Sequence, residues 1–230
     1  MIPLKDNIPT SRFPLVTIAL ISLNVLVYLY TDILGFGDIE FISRFGIIPH
    51  NIITAGKLTG SGPLMAGGSF LSSQFIHGGL FHLAGNMLFL WIFGNNIEDT
   101  MGPFKFIMFY LACGIIAGAA QIIPDPQSHI PMIGASGAVA GVMGAYLLEY
   151  PRAKVLTLIW ILFFIRLIWL PAFFIILYWV ALQIFFQFSS GGESSGVAYM
   201  AHIGGFAAGL VFFKLFLLFR GKKSTLWRGN

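Results

Sequence analysis

Long apolar runs, separated by short polar segments, recur along the sequence and restrict its fold more than any other feature. The first, Phe13 to Leu34, holds a single charged residue, Asp32. A membrane-spanning helix needs about 20 mostly apolar residues to cross about 30 Å of hydrocarbon. Only 10% of the 230 residues are charged and the mean hydropathy is +0.85, so the chain lacks the polar side chains that cover a water-facing surface. The sequence predicts a membrane-embedded protein and excludes a disordered chain, a nucleic-acid-binding domain and an ordinary soluble enzyme.

Six such runs predict an all-α polytopic membrane protein with a single domain over residues 1–230. The first run is too long for a signal-peptide core and no small-residue cleavage pattern follows it, so we expect it to remain a span. The fourth is short, and residues before it must complete the crossing. The predicted spans are residues 13–34, 80–97, 104–123, 136–148, 171–188 and 198–219.

The stretch from Val155 to Leu170 is nearly all apolar, but it carries Arg166 and ends before Pro171. A charge at the bilayer centre costs at least about 2.5 kcal/mol, and a proline disfavours helix at the residue before it. We therefore predict an interfacial segment that leads into the fifth span. The alternative is a seventh span, which would reverse the direction of all that follows.

The basic residues predict the orientation, because cytoplasmic loops collect Lys and Arg. With six spans and a cytoplasmic N-terminus, Arg44 and Lys57 fall outside, while Arg166 and Lys214 lie near the inner boundary and reach it by snorkelling. Both termini are therefore expected in the cytoplasm, and the basic C-terminal tail is interpreted as a stop-transfer anchor. The residues on the inner side are Lys5, Arg12, Lys105, Arg152, Lys154, Arg220, Lys222, Lys223 and Arg228.

Polar residues inside the spans are informative because lipid offers them no partners. His82 and Asn86 are four residues apart, so they share one face of the second span, and His77 lies just before it. One interpretation is a polar ladder that joins helices. A zincin-type metal site is rejected, because that pattern needs a Glu next to the first His and a second His on the same helix, where Leu83 and Asn86 stand.

A second cluster, Gly134 to Gly137, places Ser136 between glycines at the start of the fourth span. Glycine permits a tight turn and a close neighbour, and the free N–H groups of a helix N-terminus favour a developing anion. That environment suits a serine nucleophile. The alternative is an N-cap serine beside small residues that pack helices together.

A third cluster begins the sixth span, where Ala201 and His202 precede Gly205 and Gly209. The two glycines form a G-x-x-x-G pair that allows a neighbouring helix to approach closely. His202 is then well placed to reach a group on that neighbour. The alternative is a buried structural histidine.

The predicted topology brings the clusters together, because spans two, four and six all run from outside to inside. His82, Asn86, Ser136 and His202 then lie at a similar shallow depth. We expect a Ser–His dyad in which Ser136 is the nucleophile and His202 the general base, with extra donors for an oxyanion. None of the nine acidic residues accompanies His202 in its helix, so no acid completes a triad.

Taken together, the motifs resemble those of the rhomboid intramembrane serine proteases. They read H-x4-H-x3-N at residues 77–86, G-A-S-G at 134–137 and A-H-x-x-G-x-x-x-G at 201–209. Glu98 fits the inner loop of that family, and Pro171-Ala172 is similar to the start of span five in many bacterial members.

The resemblance implies a compact six-helix bundle that cleaves single-span membrane proteins in or beside their spanning helix, after a small residue. It implies no metal, ATP, other cofactor or nucleic acid, and a prokaryotic plasma membrane as the location. Ser136 would be the nucleophile, His202 the base, and His82, Asn86 and the Ser136 N–H the oxyanion site. The residues expected to be structural are His77, Glu98, Gly134, Gly137, Gly205 and Gly209.

Two departures from the family pattern stand out. Gly68-Ser69 replaces the Trp-Arg that many relatives carry before the first histidine, so the outer loop is expected to anchor differently. Ala140 stands where relatives often have an aromatic ring near the histidine, so His202 is either held less firmly or held by another ring. Neither departure removes a reacting group.

Two other functions were weighed. A non-catalytic relative that binds transmembrane helices usually lacks the serine or the histidine, and both are present here. A small transporter would place its polar site at the midplane, whereas this cluster is predicted to be shallow and one-sided. The sequence does not indicate the oligomeric state.

Overall fold

The computed structural model describes residues 1–55, 62–161, 164–189 and 197–220, and most of these residues are helical. The predicted orientation rests in part on Lys57 and on the basic residues after Arg220, and these residues lie outside the described ranges. The elements in chain order are β1 Ile2–Asp6, α1 Leu15–Tyr28, α2 Ile39–Phe45, α3 Pro49–Thr54, α4 Gly62–Ser72, α5 Leu80–Phe89, α6 Asn95–Met101, α7 Pro103–Ile122, α8 Ser136–Glu149, β2 Lys154–Ile161, β3 Phe164–Pro171, α9 Ala172–Ser189 and α10 Tyr199–Phe219.

The helices agree with the predicted runs to within a few residues, and the chain is a multi-pass membrane protein. In the described ranges, four helices are long and apolar enough to cross a membrane: α1 with its π-helical end, α7, α9 and α10. A fifth span arises if Gly62–Phe75 and Leu80–Met101, which meet at 81°, count as one broken span. The 14-residue α8 is too short by this measure, so the predicted number of six is not confirmed.

The all-α prediction is wrong at residues 154–171, where the chain forms strands β2 and β3. They pair antiparallel, and β1 from the N-terminus pairs with β2 to complete a three-stranded sheet. The segment is rich in Val, Ile, Leu, Trp and Phe, and β-branched and aromatic residues favour strands. Pro171 also disfavours a helical end at Leu170. Hydrophobicity alone does not distinguish a buried helix from a pair of strands, because both bury apolar side chains.

The hairpin brings the chain back to the end of α8. The Ala172 N–H donates to the Ala153 carbonyl at 2.8 Å, and the Phe173 N–H donates to Pro151 at 3.0 Å. Since α9 starts where α8 ends, residues 154–171 make no net crossing. A seventh helical span is excluded, and α9 runs in the direction that the six-span topology requires.

Helix α8 lies at the centre of the fold, and its glycines form the contact with α10. A Cβ on Gly205 would collide with the Gly137 carbonyl, and one on Gly209 with the Gly141 carbonyl. Both helices therefore carry a G-x-x-x-G pair, so their backbones touch. The sequence predicted the glycine pair on α10 and missed the matching pair on α8.

Glu98 lies at the far end of the fold from the serine. Its carboxylate accepts from the Val16 N–H at 2.9 Å and from the Thr17 N–H and Oγ1 at 2.7 Å each, so it caps the start of α1. Glu98 is sixteen residues beyond His82, about 24 Å at the helical rise of about 1.5 Å per residue. Glu98 joins α6 to α1 and lies away from Ser136.

Candidate active site

Ser136 is the first residue of α8 and follows a turn that only glycine adopts easily. Gly134 has φ +123°, and its N–H donates to the Ser73 carbonyl at 2.9 Å. A Cβ on Gly134 would lie 2.8 Å from the His82 ring. The turn therefore brings the backbone before Ser136 against α5, and leaves the first N–H groups of α8 without intrahelical acceptors.

His202 and Ser136 are within hydrogen-bond distance. The His202 Nε2 lies 2.8 Å from the Ser136 Oγ, and both side chains are half-buried. The glycine contact between α8 and α10 sets this distance, because it removes the side chains that would separate the two helix starts. The first turn of α10 is also fixed by Gln121, whose Oε1 accepts from the Ala201 N–H at 2.9 Å.

His77 is buried between α5 and the turn before Ser136, with 1% of its surface exposed. Its Nε2 lies 2.9 Å from the Asn86 Nδ2 and 3.5 Å from the Ala135 N–H. Because both neighbours are donors, this Nε2 is the acceptor and the Nδ1 carries the hydrogen. His77 therefore orients the Asn86 amide and supports the turn, rather than standing free in the outer loop.

His82 is exposed, and its ring packs edge-on to His77 at 5.0 Å between centroids. It also borders Gly134, and the Asn86 Nδ2 lies on the same side, 3.8 Å from where a Gly134 Cβ would stand. The donors expected to hold an oxyanion thus lie beside the turn that leads to Ser136.

Two residues of α9 complete the surroundings of His202, and the sequence analysis missed both. Gln183 Oε1 lies 2.7 Å from the His202 Nδ1, and the Trp179 ring lies 5.4 Å from the His202 ring between centroids. Trp179 provides the ring that Ala140 lacks. Gln183 is one of two amides in a mostly apolar helix, the other being Gln187. The cost of placing an amide in lipid was the available signal.

In place of the absent Trp-Arg, the outer loop is held by hydroxyl-to-carbonyl bonds. The Ser72 Oγ donates to the Phe45 carbonyl at 2.7 Å, which joins α4 to α2. The Ser69 Oγ donates to Ala66 at 2.7 Å and is buried. The Ser72 bond therefore anchors α4 to α2, whereas the Ser69 bond stays within α4.

A narrow cleft opens beside Ser136, and most of its wall consists of small residues. The cleft is lined by Ile47, Ser73, Gln74, Gly114, Ala117, Gly118, Met132, Ile133, Gly134, Ser136, Gly137, Ala138, Ala198 and Ala201.

Within the described part of the chain, no three His, Cys, Asp or Glu side chains are grouped to hold a metal ion.

These features define a multi-pass membrane protein with a serine and a histidine paired between two helix starts. The sequence model of the Rhomboid domain matches residues 68–219, and the chain belongs to the rhomboid family.

Curated relatives share parts of the chain. It is 32% identical to the "Rhomboid protease GluP" of Bacillus subtilis over 58% of this chain and 24% of that protein. It is 34% identical to the human "Presenilin-associated rhomboid-like protein, mitochondrial" over 36% of this chain and 23% of that protein. It is 30% identical to the yeast "Rhomboid protein 1, mitochondrial" over 44% of this chain and 32% of that protein. The chain thus spans less than a third of the length of each.

Proposed function

We propose that this protein is an intramembrane serine endopeptidase that cleaves single-span membrane proteins in or near their transmembrane helix. The observation that carries the proposal is the 2.8 Å distance between the Ser136 Oγ and the His202 Nε2. A serine becomes a useful nucleophile when a base within hydrogen-bond reach removes its proton. Membership of the family, and a relative whose name is rhomboid protease, support the same chemistry.

The reaction begins when the Ser136 Oγ attacks the carbonyl carbon of the scissile peptide while the His202 Nε2 takes its proton. The carbonyl double bond opens to a tetrahedral oxyanion. Collapse of this intermediate breaks the C–N bond, and the protonated His202 gives its proton to the departing amine. Water then attacks the acyl-serine ester, with His202 again as base, and releases the new carboxyl end and Ser136.

The oxyanion is held by donors that stand before charge develops. We assign this role to the Ser136 N–H at the start of α8, the His82 ring and the Asn86 amide. Their closeness to the Gly134 turn supports the assignment. Donors fixed in advance in a site of low polarity need little reorganisation during the reaction, which is why they contribute strongly.

The cleft supports a substrate with a small side chain at the cleavage position, since its cavity volume is only about 30 Å³. A single transmembrane helix reaches the site from the bilayer, and the water for hydrolysis enters from the outer side. We place the protein in a prokaryotic plasma membrane with both termini in the cytoplasm. No step requires a metal or other cofactor.

The proposal is tested by incubating the purified protein with a panel of single-span membrane proteins, with and without EDTA. We expect wild type to produce defined fragments, insensitive to EDTA, while Ser136→Ala and His202→Ala produce none. Ser43→Ala, an exposed serine on α2, is the matched control and should cleave at the wild-type rate. A serine-directed phosphonate should label Ser136. Fragments that persist in Ser136→Ala would overturn the proposal, and substrate that binds without being cut would favour a non-catalytic helix-binding protein.

A further inference from the structure

Both ring nitrogens of His202 have partners, and they lie on different helices. The Nε2 faces the Ser136 Oγ of α8 at 2.8 Å, and the Nδ1 faces the Gln183 Oε1 of α9 at 2.7 Å. A neutral imidazole has one N–H and one bare nitrogen. Which nitrogen carries the hydrogen decides whether the ring can take a proton from Ser136.

The orientation of the Gln183 amide follows from its other contact. The Gln183 Nε2 lies 3.2 Å from the Trp179 carbonyl oxygen, one turn earlier on α9. A carbonyl oxygen only accepts hydrogen bonds, so the amide nitrogen must face it. The amide oxygen is then left to face His202, and a flipped amide would set two oxygens against each other.

The tautomer of His202 follows in turn. The Gln183 Oε1 has no hydrogen to give, so the His202 Nδ1 must be the donor of the 2.7 Å bond. The Nε2 is then bare and accepts from the Ser136 hydroxyl. With the other tautomer the Nε2–H would point at Ser136, and the ring would not act as its base.

We propose that Gln183 is a positioning residue that fixes the reactive tautomer of His202. The inference rests on the proposed function. Gln183 is 8% exposed, and at such a site a neutral amide orients the imidazole without the desolvation cost of a buried carboxylate. The Trp179 ring limits tilting of His202 from the same helix.

The test compares two substitutions that differ in their acceptor. Gln183→Met keeps the length of the side chain and removes the acceptor, whereas Gln183→Glu keeps an acceptor oxygen. We expect Gln183→Met to lower kcat and the rate of phosphonate labelling at Ser136 about 10- to 100-fold, the effect of leaving a buried donor unpaired. KM should change little, because no substrate contact is lost. Gln183→Glu keeps an acceptor for the imidazole but sets a second oxygen against the Trp179 carbonyl, so it should recover only part of the activity that Gln183→Met loses.

Gln187→Met is the matched control. Gln187 is the other amide of α9, one turn beyond Gln183, whereas the two ring nitrogens of His202 face Ser136 and Gln183. We expect its labelling rate to stay within about threefold of wild type, since the dyad keeps all its partners. Equal losses in Gln187→Met and Gln183→Met would reduce Gln183 to a general packing role and overturn the inference.

Ring-nitrogen NMR of 15N-histidine protein gives a readout that packing alone does not change. The signals that vanish in His202→Ala identify the ring. We expect an Nδ1–H tautomer in wild type and a growing Nε2–H population in Gln183→Met. An Nε2–H tautomer in wild type, or wild-type labelling by Gln183→Met, would overturn the inference. A wild-type protein with the Nδ1–H tautomer that neither cleaves nor labels would instead refute the proposed function alone.

Discussion

At the scale of single residues, the two side chains that we propose as oxyanion donors, Asn86 and His82, differ in their other contacts. Asn86 is 8% exposed and its Nδ2 also contacts His77. His82 is exposed and touches His77 only by its ring edge. Loss of Asn86 therefore removes a donor and a structural contact, whereas loss of His82 removes a donor alone.

We expect His82→Ala and Asn86→Ala each to lower kcat about 10²- to 10³-fold, the usual cost of one lost oxyanion donor. Asn86→Ala should also lower the free energy of unfolding, by about 0.5–1.5 kcal/mol, because it removes the closer of the two donors to the buried His77 Nε2. Cleavage kinetics and thermal unfolding in detergent measure the two effects. Full activity in both variants would mean that the pair is only a helix ladder.

Asp6, near the N-terminus, links the sheet to two helices. Its Oδ2 accepts from the Tyr146 hydroxyl at 2.5 Å and from the Asn96 Nδ2 at 2.6 Å. Burial raises the pKa of Asp6 to about 6 from its ordinary 3.8, and the bond from Tyr146 offsets part of that rise. The folded protein therefore holds a proton here that the unfolded chain releases between about pH 4 and 6.

This pKa gives a pH dependence of known sign. The stabilisation from protonated Asp6 is complete below about pH 4 and is lost as the pH rises through about 6. We expect wild type to lose stability relative to Asp6→Asn between about pH 4 and 6, measured by unfolding at several pH values. Asp125→Asn, at an exposed loop residue, should keep the wild-type slope. Parallel curves for wild type and Asp6→Asn would contradict the shift.

At the scale of elements, the sheet formed by β1, β2 and β3 restricts where residues 154–171 can lie relative to the membrane. Open sheet edges do not occur in lipid hydrocarbon, because their N–H and C=O groups need partners. Strand β3 is an edge of the sheet. Trp160, Leu167 and Trp169 are exposed on the hairpin, and tryptophan favours the boundary between lipid and water. An interfacial position remains our prediction for this element.

The glycine contact between α8 and α10 is the element on which the dyad depends most. A Cβ at Gly209 would meet the Gly141 backbone, which cannot rotate away. We expect Gly209→Ala to lower the free energy of unfolding by about 1–3 kcal/mol, the range for overpacking, and to slow Ser136 labelling. Gly85→Ala on α5 enters open space and should be neutral or stabilising, which thermal unfolding in detergent checks. Equal stability of the two variants would argue against the close contact.

At the scale of the whole molecule, the starts of α5, α8 and α10 lie together, as the contacts among His82, Gly134, Ser136 and His202 show. The opposite end carries the sheet, the Glu98 cap and the ion pair between Arg220 and Glu149 at 2.8 Å. The basic residues favour a cytoplasmic position for this second end.

Cysteine labelling checks that orientation. In a Cys113→Ala background, we expect a membrane-impermeant maleimide to label Ser43→Cys in intact cells and Arg152→Cys only after the membrane is opened. Both positions are exposed, and they lie at opposite ends of the fold. The reverse pattern would invert the predicted topology, and labelling of both in intact cells would contradict it.

The sequence by itself determined the class of the protein, since apolar runs of this length have no other stable environment. It also indicated Ser136, His202, His82 and Asn86, because polar residues inside spans are costly and stand out against lipid-facing ones. The glycine pair on α10 was also predicted, because each glycine lacks the Cβ that would keep helices apart, whereas the matching pair on α8 was missed.

Only the tertiary structure decided what depends on pairing between distant segments. Strands β2 and β3 are as apolar as a span, and their register and the partner strand β1 are long-range facts that hydropathy does not encode. Gln183 and Trp179 lie on a helix whose periodicity does not fix the face that meets His202. Their place beside the imidazole arises from how α9 packs on α10. The sequence therefore indicated the pair that we propose to react, Ser136 and His202, and only the fold revealed what orients the imidazole.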